Sequence, residues 1–260
     1  MGTGLWFAAG LAAAIGVAQS PPRAEFEVAT VKLNTECIHG VGREQHSPGR
    51  FGVECVSVRE YIRGAYDVPD ARHVLGGPKW LDTDHYDIVA KATGETGLDE
   101  MYGPMMRELL QERFQLKLHR ETREMPVYTL TVGKGGAKLV PVKEGECVPI
   151  DLSQVLRQPP TPNYCGRMTT KRGAITVVDG SGTTLEEFTK RVFRDTLDRP
   201  VIDQTGIAGR FDIHLEYASG EGDGPSIFGA IQEHLGLKLA AGRGAVEVLM
   251  IDRVERPTAN

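Results

Sequence analysis

Most of the short signatures that announce a chemistry are missing from this chain. It has no H-E-x-x-H zinc helix, no Walker A loop, no G-x-G-x-x-G fingerprint and no G-x-S-x-G elbow. The local routes to a metallopeptidase, a nucleotide enzyme or a serine hydrolase are therefore not written in it. Basic charge is short as well: 30 Lys and Arg face 35 Asp and Glu, a formal net charge of −5. That balance gives no overall electrostatic reason to bind nucleic acid or an acidic membrane surface. No apolar run reaches the roughly 20 residues that a spanning helix needs. What is present, 40% hydrophobic and 25% charged residues in a chain of 260, is the composition of an ordinary folded protein of one or two domains.

The start of the chain reads as a targeting segment. Leu5 to Val17 is apolar and rich in Ala and Gly, and Ala18-Gln19-Ser20 before Pro21-Pro22 resembles a small-residue cleavage site, although no Lys or Arg precedes the run. We expect a signal peptide over 1–18, export to the periplasm or beyond, and no stable membrane span once it is cleaved. Four cysteines fit that compartment, with Cys37 and Cys55 spaced like Cys147 and Cys165. Local pairing is expected, each bridge closing a loop worth about 3 kcal/mol in a chain-entropy treatment. Four cysteines allow about three full pairings, so the spacing favours this connectivity without dictating it. A zinc set of Cys37, His39, His46 and Cys55 is the competing reading, and its spacing is irregular.

The chain repeats itself. Ser57-Val58-Arg59-Glu60-Tyr61-Ile62, Tyr86-Asp87-Ile88 and the run from Leu110 to Leu118 return as Thr184-Leu185-Glu186-Glu187-Phe188-Thr189, Phe211-Asp212-Ile213 and the run from Ile231 to Leu239. Ser57 and Thr184 lie 127 residues apart, Asp87 and Asp212 125, Lys117 and Lys238 121. Order and spacing both persist, which points to two copies of one folding unit. Ser57 with Glu60, and Thr184 with Glu187, each read as a capping box opening a helix. Helices follow at 58–66, 104–114 and 226–235, and period-two alternation marks strands at 26–32, 85–90 and 211–215. Each unit is expected to close on a hairpin, 116–132 in the first and 237–251 in the second, with Gly242-Arg243-Gly244 as the later turn.

The expected fold class is α+β, two tandem related units each running strand-helix-strand-helix-strand-strand. The boundaries are 24–137 for the first unit and 183–260 for the second. A disulfide-pinned connector rich in Pro and Gly occupies 138–182.

Candidate ligand-binding residues are few. Asp87 and Asp212 recur between an aromatic residue and Ile, as two equivalent polar sites or as carboxylates that orient nearby loops. Trp80, after Gly76-Gly77-Pro78, is either an exposed recognition aromatic or a buried anchor. His119 sits with Lys117, Arg120 and Arg123 in the densest basic stretch, which glutamates interrupt; an anion or peptide could dock there, or the charges could guard a strand edge. Asp82 and Asp84 lack a twelve-residue calcium pattern, and Gly133-Lys134-Gly135-Gly136 lacks the Lys-Ser/Thr ending of a phosphate loop. No catalytic residue, metal or cofactor is assigned.

The succession Phe26 to Lys32, Gly76 to Leu81, Tyr86 to Lys91, Arg113 to Arg123, Arg199 to Gly206 and Ile251 to Thr258 resembles a large uncharacterised family of exported acidobacterial proteins. The likeness runs from Phe26 to Asn260. It implies export and a domain of unknown function, and similar domains are joined to antirepressor-type membrane metallopeptidases, whose zinc motif and membrane helices this chain lacks. Each unit is also similar in its helix-strand pattern to the short N-terminal domain of secretins and TonB-dependent receptors. The functional expectation is a noncatalytic binding or interaction protein of the cell envelope, its partner an envelope protein or a small ligand and not nucleic acid. Two alternatives stand beside it. One is an envelope hydrolase assembled in space from Asp87, Asp212, His85 or His214; the other is a sensory domain for a membrane signalling partner.

Overall fold

The computed structural model describes residues 24–37, 43–151, 163–219 and 223–258. The expected signal segment, His39 and the connector residues 152–162 lie outside them. Among the described residues no helix is long and apolar enough to cross a membrane.

The α+β class holds, arranged as three four-stranded sheets. In the first half, β1 (Val28–Asn34), β2 (Arg43–Ser47), β3 (Arg50–Ser57) and β5 (His85–Lys91) form an antiparallel sheet in the order β1-β5-β3-β2. Between its strands lie α1 (Val58–Ala65), the short β4 (Val74–Gly76) and α2 (Trp80–Thr83), and after β5 comes a helical run α3 over 98–113. The second half has β7 (Val140–Pro141), β8 (Arg167–Lys171), β9 (Ile175–Thr183) and β11 (Phe211–Ala218) in the order β7-β11-β9-β8. Its helices are α4 over 185–196 and α5 (Ile227–Leu235), with β10 (Val201–Asp203) between them. Residues 138–182, expected as a connector, thus also supply β7, β8 and most of β9.

The local signals acted as their chemistry requires. Ser57 Oγ accepts the Glu60 N–H, and Thr184 with Glu187 forms a complete reciprocal capping box. Val58, Tyr61, Ile62 and Ala65 are the buried face of α1; Leu185, Phe188 and Val192 are their counterparts in α4. Pro104, expected in a first turn, sits inside α3 within a wider π-type turn, which absorbs its missing N–H; the helix itself begins at Leu98.

The expected closing hairpins are instead two single strands, β6 (Lys117–Val132) and β12 (Leu237–Arg253), paired antiparallel along almost their whole length. Arg120 to Glu124 do not turn because Ala245 to Leu249 satisfy their backbone, so a charged stretch runs as strand with its side chains in water. Gly244 marks close packing, since a Cβ there would meet Ile202 Cδ1 at 2.6 Å. The flanking strands cross over: β4 of the first half pairs parallel with β12, and β10 of the second with β6. Leu249 and Ile251 of β12 accordingly enter the first core, Leu130 of β6 enters the second, and Val127, Val246 and Val248 fill the middle. Burial along this ribbon ties the two halves into one body.

Candidate functional site

The strand-to-helix joints are built alike. Glu54 and Cys55 bulge against the single residue Asp87, and Ser181 and Gly182 bulge against Asp212. Cys55 and Gly182 both take left-handed backbone, φ +60° and +58°. Each donates its N–H to an aspartate: Cys55 to Asp87 Oδ1 at 2.8 Å, Gly182 to Asp212 Oδ1 at 3.0 Å. Asn34 Nδ2 also donates to both oxygens of Asp87. A disulfide reinforces each bulge. Cys37 is bonded to Cys55 itself, and Cys147 to Cys165, which packs so tightly on Gly182 that a Cβ there would meet Cys147 Sγ at 2.6 Å. Both bridges are the local ones expected, which removes the proposed zinc set, because bridged cysteines offer no thiolate. Among the described residues no cluster suited to a metal ion occurs.

Asp87 and Asp212, His85 and His214 stand on different sheets, β5 and β11, and do not form one cluster. His214 instead lies 2.7 Å from Asp179 and 3.2 Å from Glu216 on an exposed sheet face, and the hydrogen bond to Asp179 raises its pKa. Trp80 is half-buried against the first core, with the Arg256 guanidinium 5.1 Å above its ring and Arg256 Nε 3.0 Å from Asp84. Asp82 pairs with Arg59 at 2.6 Å. His119 is exposed and lies 2.9 Å from Asp252, whose hydrogen bond raises its pKa.

A hollow of about 470 Å3 at the seam of the two halves contains none of the four expected ligand residues. The first half lines it with Val53, Val56, Tyr61 and Arg63, and with Tyr102 and Met106 of α3; the second half contributes Arg172, from the β8–β9 turn, and Arg194 of α4. Tyr61 Oη lies 2.9 Å from Val53 O and 3.0 Å from Tyr86 O, fixing α1 to the sheet. Tyr102 Oη and His46 Nε2 are 2.8 Å apart, and His46 Nε2 is 3.6 Å from Glu44. The hydrogen bond with His46 holds the Glu44 carboxyl below its usual range. Burial, then the charge of Glu44, pushes the Tyr102 phenol well up, as burial and then Asp87 do for Tyr61. Both tyrosines therefore stay protonated near neutral pH and act as hydrogen-bonding groups, not as bases. Arg63 is paired with Glu60 at 2.6 Å. Arg63, Arg172 and Arg194 outnumber the two carboxylates on the lining, Glu44 and Glu60, and with the apolar wall they suit a small anion with an apolar part. Residues 44 and 46, 102, and 172 and 194 share no local pattern, so no sequence motif marked this hollow.

The seam is anchored next to it. Asp70 is buried; burial opposes its charge, but the adjacent His73 imidazole and the hydrogen-bonded Arg72 guanidinium outweigh that and hold its pKa at about 2. His73 Nδ1 lies 3.2 Å from Asp70 Oδ1, within ion-pair range but out of hydrogen-bond alignment. Arg72 crosses the seam to the carbonyls of Phe193, Arg194 and Leu197, closing the end of α4.

The chain matches the family profile described as Protein of unknown function (DUF3738) over residues 59–254. The chain belongs to this DUF3738 family. The match covers parts of both halves and the β6–β12 ribbon, and leaves β1, β2 and β3 outside it. No curated protein and no solved structure matches the DUF3738 chain.

Proposed function

We propose that this DUF3738 protein is an exported binding protein of the cell envelope that holds a small anionic ligand in the hollow between its halves. The carrying observation is that guanidiniums from both halves meet there around Tyr61 and Tyr102. Two disulfides fit an oxidising compartment and support export. The matched caps, bulges and strand orders support descent of the halves from one doubled unit.

Thermal-shift and calorimetric titration with a panel of aryl and alkyl carboxylates and phosphates tests the reading. At least one compound should raise the melting temperature, and Arg172→Ala or Arg194→Ala should each weaken it roughly tenfold, the effect of one charge-assisted hydrogen bond. A flat panel, or binding that ignores both substitutions, would remove the hollow as the site.

A further inference from the structure

The two outer sheets share a strand order but not a finished edge. The outer side of β5 is covered from His85 to Lys91 by the seven residues of β1. Among the described residues the matching side of β11 is covered only at Phe211 and Asp212, by the two-residue β7. The cause is the route of the chain. β7 is reached directly from the end of β6 through the turn at Gly133 to Gly136, and among the described residues no other strand runs along this side of β11.

At the near end Val142 N–H reaches Arg210 O at 2.9 Å, and at the far end Ala218 N–H reaches Pro225 O at 2.9 Å. Strand alternation puts the N–H and C=O of His214 and Glu216 on that same side, where no described strand pairs with them. A second observation concerns the helix beside the edge. In the first half, Arg113 of α3 donates to Ala29 O and so grips the covering strand β1. Its counterpart in α5 is His234, which stacks at 6.3 Å on His214 beside the uncovered stretch. Side chains there set the charge of a partner: Asp179, Asp212 and Glu216 are exposed on this face, three carboxylates around the single His214, which lies 2.7 Å from Asp179 and 3.2 Å from Glu216. The other free edge of the sheet, β8, carries Arg167 and Lys171.

We propose that residues 213–217 of β11 accept an extended strand from a partner protein, basic at alternate positions, in the place that β1 takes on β5. Main-chain hydrogen bonds to His214 and Glu216 hold the strand, and lysine or arginine side chains over Asp179 and Glu216 select it. The inference is independent of the seam hollow.

The probe is a fluorescein-labelled Val-Lys-Val-Lys-Val peptide titrated into the whole exported chain, read by anisotropy and by the amide resonances of His214 and Glu216. Binding should perturb those two amides and leave β2 and β8 unmoved. Methylating alternate peptide nitrogens should weaken it roughly tenfold or more, since one or two backbone hydrogen bonds are lost. Charge reversal at Glu216→Lys with Asp179→Lys should abolish binding of the lysine peptide and create binding of its glutamate analogue; both positions are exposed and leave the fold intact. No binding, equal binding of the methylated peptide, or perturbation mapping to another edge each overturns the proposal.

Discussion

The first half closes its bulge with a cysteine and its sheet edge with a seven-residue strand; the second closes the same bulge with a glycine, and among the described residues only a two-residue strand covers the same edge. The difference separates what the fold demands from what it permits. A left-handed residue pinned by an aspartate is common to both halves, so the joint needs it; Cys55 meets the backbone strain with a covalent bond, Gly182 by having no Cβ. Edge coverage and the seam anchor differ. Arg72 spans the seam to α4, whereas Arg199, at the corresponding place in the second half, lies over the Tyr128 ring at 5.4 Å.

The sharpest way to break this comparison is at Gly182. Gly182→Ala forces an L side chain into left-handed backbone and against the Cys147 sulfur, and should cost about 2–4 kcal/mol in denaturant unfolding. The reciprocal change, Cys37→Ser with Cys55→Gly, should cost less, about 2 kcal/mol, because relief of strain at 55 offsets part of the lost bridge. If Gly182→Ala is neutral, the bulge does not require what we ascribe to it.

Acid unfolding probes the seam. The folded pKa of Asp70 is depressed, so its contribution is complete above about pH 4 and fades as pH falls toward about 2. It amounts to roughly 2 kcal/mol on the scale of one pKa unit per 1.36 kcal/mol. Asp70→Asn should flatten the stability profile between pH 4 and pH 2 as measured by urea titration at each pH; an unchanged slope contradicts the assignment.

Smaller effects belong to the paired aspartates. Asp87→Ala and Asp212→Ala each strand one bulge N–H, at about 1–2 kcal/mol. Asp87 should be the costlier, because Asn34 loses its partner too. Chemical denaturation of the two single variants and the double variant checks this, and equal costs would weaken the reading. The smallest effect is expected at His119, whose pairing with Asp252 is fully solvated: His119→Gln should leave the unfolding midpoint where it is.

Much of the fold was legible because its signals are local. Hydroxyl caps at Ser57 and Thr184, the three-and-four spacing of α1, and alternation in β5 and β11 need no knowledge of partners. The long strands were misread as hairpins because Arg120 to Glu124 and Gly242 to Gly244 carry turn-like composition, and only their mutual pairing makes them strand. The recurrence of Asp87 and Asp212 was visible, but not its reason, since the bulge that each carboxylate holds is formed by residues about 30 positions away. The seam hollow was illegible for the same cause. Its arginines come from opposite halves and meet only after the ribbon has formed.

The central claim is that β6 and β12 make one cooperative body of two matched halves. Native-state amide hydrogen exchange measures it directly, comparing Ile88 in the first sheet, Leu215 in the second and Val248 in the ribbon. All three should exchange through the same global opening, with a common free energy and a common denaturant slope. Separate openings for Ile88 and Leu215, or faster exchange at Val248 than at either, would contradict the account.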